Sequence, residues 1–276
     1  MNDQDYTVIK ASGDKVKFDA NKLRNSLKRA GADVLLADEV VEYVMKGMHD
    51  LITTKEIYKQ AFRYLKKQQN STAARYSLKS AILELGPAGY PFEGFMAKIL
   101  ENNGYEVQTN LIQKGKCVTH EVDVFAQNTE KVIFMECKYH TDQGRKSDVK
   151  TSLYFNSRFI DIAGGLSDEN RKKEGWLVTN TRFSEDAEKY GRCSDLRLVS
   201  WGHPKKYSLK DLIESSGLHP VTCLTTIARA EKRALIDLGI LLCSELIAQP
   251  NVLDRVVRSK QRKDRIIEEA EVLCQK

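Results

Sequence analysis

Glu136 and Lys138 close an apolar run, Val132 to Cys137, that reads as a buried strand. Side chains alternate across a strand, so this acid and this lysine point to the same face. Asp123 lies in an earlier strand-like stretch, Val118 to Phe125, and a turn near Gln127 to Glu130 can fold the two stretches into a hairpin that sets Asp123 beside Glu136. Charged groups on apolar strands are costly unless they pair or bind a metal. Two carboxylates offer Mg²⁺ the oxygen ligands it prefers. A cation so held polarises a phosphate and acidifies a water, and a lysine can orient that water or neutralise developing charge. The chemistry these residue types suit is metal-assisted phosphodiester cleavage. A Glu-x-Lys on a strand is common and is usually a solvated cross-strand ion pair; Asp123 on the preceding strand is what favours the catalytic reading. Glu93, at the edge of the apolar stripe of a helix over 92–102, adds a third acid able to look toward the sheet.

The elements that must position these groups form an α/β pattern. The periodicity predicts a helix over 92–102, strands over 105–112, 118–126 and 131–138, and a helix near 148–163. A strand over 175–179, a helix capped by Ser184 and a strand over 196–200 follow. The Gly-Pro-Ala-Gly-Tyr-Pro stretch at 86–91 is the clearest hinge. Before it, two short strands flank a turn at Ser12-Gly13-Asp14. Helices follow through Leu23 to Ala30, Val40 to Met48, a capping box at Thr53 and Glu56, and Ala74 to Leu85. From Ser208 onward only helices are expected, with the basic stretch 255–265 as one exposed helix face. The predicted domains are 1–86, 87–205 and 206–276.

The composition excludes several classes. Of 276 residues, 41% are apolar and 30% charged, a globular balance. No apolar run reaches the roughly 20 residues of a membrane span, and Met1 to Tyr6 lacks a signal-peptide pattern, so a cytoplasmic protein with no membrane partner is expected. The six cysteines form no Cys-x-x-Cys pair and the five histidines no i, i+4 pair, so free thiols and no zinc site are expected. No phosphate-binding Gly-x-x-x-x-Gly-Lys-Ser/Thr loop is present, which excludes a P-loop motor. The net charge of +6 sits at the two ends of the chain, and the middle is near balance. That suits a polyanionic partner with acids at the centre, and it suits many ordinary proteins.

Phe92-Glu93, Gly104-Tyr105, Val122-Asp123-Val124 and Met135-Glu136-Cys137-Lys138 resemble the Mrr-like branch of the PD-(D/E)xK restriction endonucleases. Leu177 to Asn180, Phe183-Ser184 with Ala187, and Leu196 to Ser200 extend the resemblance over about 88–205. It implies a central mixed sheet flanked by helices and a Mg²⁺-dependent, type II restriction-like DNA endonuclease acting on double-stranded DNA, with a homodimer expected. It implies Asp123 and Glu136 as metal ligands, Lys138 as the catalytic lysine and Glu93 as an assisting acid, with the Cys137 carbonyl completing the metal shell. His120 and Glu121 match no required position and read as bystanders, with Glu121 able to support the site from behind the metal ligands. Residues 6–86 resemble an ATP-cone through Val8-Ile9-Lys10, Gly13, Phe18-Asp19, Lys22-Leu23, Thr54, Ile57 and Ala74-Arg75-Tyr76. That implies a mostly helical module with a short hairpin, binding ATP or dATP as effector through Val8, Lys10, Lys22 and Thr54. The chain departs from many cones at Ala11 and Tyr58. The stretch Leu224 to Leu246 resembles a helix-hairpin-helix unit with Gly239 at its turn, or else a plain helical packing domain. A nucleotide-responsive DNA-binding regulator with an inactive nuclease fold is the alternative function.

Overall fold

The computed structural model describes residues 6–166 and 171–275. The chain gathers into two compact units. One joins the residues up to 81 with those from 221 onward, and the other comprises 82–220.

In the first unit, β1 (Thr7–Ile9) and β2 (Lys15–Lys17) form the expected hairpin, with Val8 opposite Val16 and Gly13 at φ 85° in the turn. Asp19 caps α1 (Ala20–Arg29) and Asp33 caps α2 (Val34–Lys46). The short strand β3 (Ile52–Thr53) adds to β1 in parallel, giving the order β2-β1-β3. Two residues carry no periodicity, and no strand is predicted there. α3 (Thr54–Gln68) opens on the predicted capping box: the Glu56 N–H donates to Thr53 Oγ1 at 3.2 Å, and the Thr53 N–H donates to Glu56 Oε2 at 2.9 Å. Those bonds hold the Glu56 carboxyl below its ordinary pKa. Thr53→Ala removes the cap, a loss of about 1 kcal/mol. Amide hydrogen exchange in the first turn of α3 should quicken about fivefold as a result. The helix predicted over 74–85 is instead two, α4 (Asn70–Tyr76) and α5 (Leu78–Leu83). The break falls at Ser77, whose hydroxyl donates back to the Ala74 carbonyl at 2.8 Å, the side-chain competition that weakens helices at serine. Val8, Leu27, Val40, Val44, Ile52, Ala61 and Leu65 form this unit's core.

The second unit is built on a five-stranded mixed sheet. α6 (Tyr90–Asn102) begins where the hinge ends, with Pro91 in its first turn, where a missing N–H costs nothing. Then come β4 (Glu106–Lys114), β5 (Thr119–Gln127) and β6 (Lys131–Lys138), each antiparallel to the one before. Asn128 Oδ1 takes the N–H groups of Glu130 and Lys131 in the predicted turn between β5 and β6. A two-residue strand β7 (Lys146–Ser147) leads into α7 (Val149–Gly165). Next is β8 (Lys172–Thr179), parallel to β6 and longer at its start than its apolar residues predict, because Lys172 to Glu174 pair with Lys131 to Ile133. β9 (Arg182–Phe183) pairs with β7, α8 (Glu185–Cys193) carries the expected Ser184 cap, and β10 (Arg197–Val199) pairs with β8. The sheet order is β10-β8-β6-β5-β4. Phe159 and Ile162 of α7 pack on the face that carries Phe134. Phe92 of α6 meets the ring of Tyr139. α9 (Leu209–Ser216) closes this unit and ends at Gly217, φ 70°.

The C-terminal helices α10 (Arg229–Asp237), α11 (Cys243–Ala248) and α12 (Lys260–Cys274) belong to the first unit. Lys66 Nζ donates to the Thr225 carbonyl at 2.7 Å, and α12 packs on α4. Buried Glu269 takes the Thr225 and Thr226 N–H groups and the Thr226 hydroxyl, fixing the loop before α10. In the α10–α11 turn, Gly239 has φ 83°. The turn's amides are all used internally: Gly239 and Ile240 donate to Ile236 and Leu235 carbonyls, and Leu241 and Leu242 to Glu245 Oε2. No turn amide is left to offer a phosphate, which favours the packing reading of this segment. The basic stretch 255–265 is not one helix face. A 3₁₀ turn over Pro250–Arg255 ends there, and α12 starts anew behind the Ser259 cap.

Candidate active site

The site forms where β5 and β6 part. Their ladder runs from Gln127–Val132 to Val124–Met135 and stops. The next residues are Asp123 and Glu136. Beyond the ladder, Asp123 Oδ2 accepts the Cys137 N–H at 2.7 Å, so a side chain replaces the lost strand partner. On the other side of β5 the register passes from Thr109–Val124 to Leu111–Val122, and Asn110 between them has φ 52°. Val122 and Phe125 both pack into the apolar cluster under α7. Asparagine enters the left-handed region at little cost, which lets β4 skip the pair opposite Asp123. The far edge of β6 stays paired, with Glu136 opposite Leu177 and Lys138 opposite Thr179, whose hydroxyl donates to the Lys138 carbonyl at 2.7 Å.

Glu136 is 5% exposed, and each of its oxygens has a cationic partner. Lys138 Nζ donates to Oε1 at 2.5 Å, and Arg158 Nη1 from α7 donates to Oε2 at 2.6 Å. Arg158 also donates to the Glu121 carbonyl and lies over the ring of Tyr154 at 5.5 Å. Burial and the neighbouring Glu136 push the Asp123 carboxyl up to about 6, against the Cys137 N–H, Lys138 and Arg158, which favour its charge. Burial, then Asp123, Glu121 and Glu136, push Glu93 up to about 7. The structure thus brings together all four residues picked out for this site, and Glu93 shares their field from the first turn of α6. Cys137 is buried and its thiol is pushed well up by burial and the surrounding acids, so it is no nucleophile.

Sequence reasoning missed Arg158. A lone arginine far along the chain carries no local signal, and only the packing of α7 brings it to Glu136. It also missed the clamp behind Lys138. Asn180 accepts the His140 N–H at 2.8 Å and donates to its carbonyl at 2.7 Å, while His140 Nε2 meets Ser147 Oγ at 3.0 Å. Burial, Arg145 and Lys138 lower the pKa of this histidine. His120 stands apart from the acids, paired with Asp161 at 2.7 Å. Glu121 acts on the site through its charge on Glu93 and its carbonyl on Arg158.

The donor set suits a hard divalent cation. Its ligand atoms are carboxylate oxygens, and burial first, then the neighbouring acids, raise the Asp123 and Glu93 carboxyls, a cost of negative charge that a cation relieves. As arranged, among the described residues no three His, Cys, Asp or Glu side chains are gathered to hold a metal. Both oxygens of Glu136 are already engaged.

The nucleotide candidates lie on the three-stranded sheet and α1. β1 and β3 run parallel with Ile9 opposite Thr53, so Lys10 and Thr54 leave the pair side by side, both exposed. Lys22 is in the first turn of α1, 85% exposed and 3.6 Å from Asp19. The Val8 side chain is in the core, where it holds the sheet. Tyr58 stacks between Phe62 and Tyr76.

A parted hairpin carrying these acids and a lysine on a mixed sheet defines a restriction-endonuclease-like domain. Residues 87–202 match the family described as restriction endonuclease, 6–82 the ATP cone domain, and 219–274 the C-terminal domain described as AF1548-like. The chain belongs to the AF1548-like family. It is 35% identical over 156 residues to an uncharacterized protein of Archaeoglobus fulgidus, a match spanning 55% of this chain and 84% of that one. The crystal structure of AF1548, a protein of unknown function, is 32% identical with a TM-score of 0.54, covering 68% of this chain and 98% of that one. The MspJI restriction endonuclease bound to a 27-mer oligonucleotide has a TM-score of 0.35 at 12% identity, covering 71% of this chain and 39% of that one. Among the described residues no helix is long and apolar enough to cross a membrane.

Proposed function

We propose that this protein is a Mg²⁺-dependent DNA endonuclease whose activity is tuned by ATP or dATP on its cone. The observation that carries the reading is the gathering of Asp123, Glu136, Lys138 and Glu93 where β5 and β6 part. Asp123 and Glu136 are the residues that would hold Mg²⁺, which when bound polarises the phosphate and acidifies a water. Lys138 brings a compact positive charge to the developing charge on phosphate. Glu93, with its carboxyl near neutrality, can accept or return a proton at its Oε atoms around pH 7. Two copies of the chain would supply two sites for the two strands of a duplex. The test is nicking of supercoiled plasmid, methylated and unmethylated, in Mg²⁺ and in EDTA. Mg²⁺-dependent nicking supports the reading. DNA binding that responds to nucleotide without any nicking supports a regulator with an inactive nuclease fold instead.

The cone supports a second expected result. Lys10, Lys22 and Thr54 are exposed and within reach of a triphosphate that would compete with Asp19 for Lys22, and charge-assisted bonds from two lysines favour one. Residues 221 onward pack with the cone into one unit, so the full chain is the right material. ATP or dATP at 100 times its Kd should stabilise the chain by about 2.7 kcal/mol, seen as a rise in the melting temperature of this unit. Lys22→Ala should remove most of that rise. With no P-loop present, non-hydrolysable analogues should act as ATP does. Calorimetry showing no binding of ATP or dATP at millimolar concentration would overturn the nucleotide role.

A further inference from the structure

The ion pairs around Glu136 raise a question that the metal-site reading leaves open. A hard cation needs carboxylate oxygens free to face it, yet Glu136 has Lys138 on one oxygen and Arg158 on the other. Lys138 is a neighbour on the same strand and face. Arg158 is different. It comes from α7, its side chain is 16% exposed, and its reach across to β6 is held at two further points, the Glu121 carbonyl and the Tyr154 ring. A nearly buried carboxylate without a counter-charge is strongly unfavourable. The guanidinium meets that need through one nitrogen, Nη1 on Glu136 Oε2, while Nη2 is held by the Glu121 carbonyl. It therefore brings to that carboxylate a positive charge of the kind a divalent ion would bring.

We propose that Arg158 is the resident counter-ion of Glu136, occupying the metal's place on that carboxylate and yielding it when a divalent cation binds. This rests on the reading of Asp123 and Glu136 as metal ligands. Arg158 is then a positioning residue: it keeps Glu136 aimed into the gap between β5 and β6, and it sets how tightly the site takes a cation. Two anchors remain for the guanidinium once Glu136 is given up. The Glu121 carbonyl can still accept from it, and the Tyr154 ring offers a cation–π seat one helical turn back along α7. Tyr154 is 64% exposed, so the released charge faces solvent at the rim of the site.

The inference is tested by metal affinity. Mg²⁺ and Mn²⁺ are titrated calorimetrically into the full-length wild type, Arg158→Gln and Arg158→Lys. Removing a positive charge that competes with a dication a few ångströms away should tighten binding by about tenfold or more in Arg158→Gln. Arg158→Lys keeps the charge and should stay near wild type. A merely structural Arg158 would do the reverse, because a loosened Glu136 binds a cation less well. In wild type, the Arg158 Nε–H resonance should shift with Mg²⁺ at the midpoint found by calorimetry, and this covers a Gln variant that does not fold. A folded Arg158→Gln that binds no more tightly than wild type, or a resonance that does not move at saturating Mg²⁺, overturns the inference alone. A wild type that binds neither metal overturns the metal-site reading and this inference with it.

Discussion

Asp123→Asn should cut plasmid nicking by about 10²–10³-fold, the scale of losing one electrostatic contact in an active site, and it should also make the metal-free protein more stable at pH 8. The two effects share one cause. In the folded chain the Asp123 carboxyl is raised to about 6 by burial and by Glu136. Its unfolded value is near 3.9. At pH 8 the group is ionised in both states, and the folded state carries the full cost of that charge, on the order of 3 kcal/mol. As the pH falls through 6 the folded chain takes up a proton that the unfolded chain does not, and the cost is withdrawn until both states are protonated below about 4. Glu93, raised to about 7, acts with the same sign but is more exposed and better screened. Metal-free wild type should therefore gain stability at this site from pH 8 toward pH 5. Asn cannot ionise and keeps an oxygen to accept the Cys137 N–H, so the variant should show a flatter profile and a higher melting temperature in EDTA at pH 8. Mg²⁺ should narrow that gap by stabilising wild type only. Thermal melts across pH with and without Mg²⁺ check this. A variant that nicks like wild type, or that melts lower at pH 8 in EDTA, would show that Asp123 is not a strained metal ligand.

Much of this site was legible because the residues that build it are close in the chain. The apolar run before Glu136, the polar turn at Asn128 and the alternating stretch around Asp123 are short-range signals, and a hairpin needs nothing else to bring its strands together. The caps at Thr53 and Ser184 were readable for the same reason. What depended on long-range packing was not. Arg158 meets Glu136 only because α7 crosses back over the sheet, and Asn180 clamps His140 only because β8 lies parallel to β6. The strands β3, β7 and β9 are two residues each, too short for any period to show. The gathering of residues 221–275 with the cone is set by contacts such as Lys66 with Thr225, which no composition shift announces.

Lys138→Ala should abolish detectable nicking while leaving the fold and Mg²⁺ binding in place. The Lys138 side chain is 39% exposed, so its pairing with Glu136 contributes little to stability after screening, and Arg158 remains on the other oxygen of the carboxylate. The strand itself is held by backbone and by Thr179, neither of which needs the lysine side chain. What the substitution removes is the compact charge beside the gap, which should be felt where negative charge develops on phosphate rather than in folding. Lys138→Arg should rescue poorly. A guanidinium is broad and planar and prefers a bidentate hold on a carboxylate, so on this strand it would fasten onto Glu136 and not stand ready for the phosphate. Plasmid nicking, thermal melts and Mg²⁺ calorimetry on both variants separate the roles. A catalytic Lys138 gives lost nicking in both variants with melting temperatures near wild type. A structural Lys138 gives a clear drop in melting temperature for Lys138→Ala, recovery of stability in Lys138→Arg, and nicking that survives in whatever fraction stays folded.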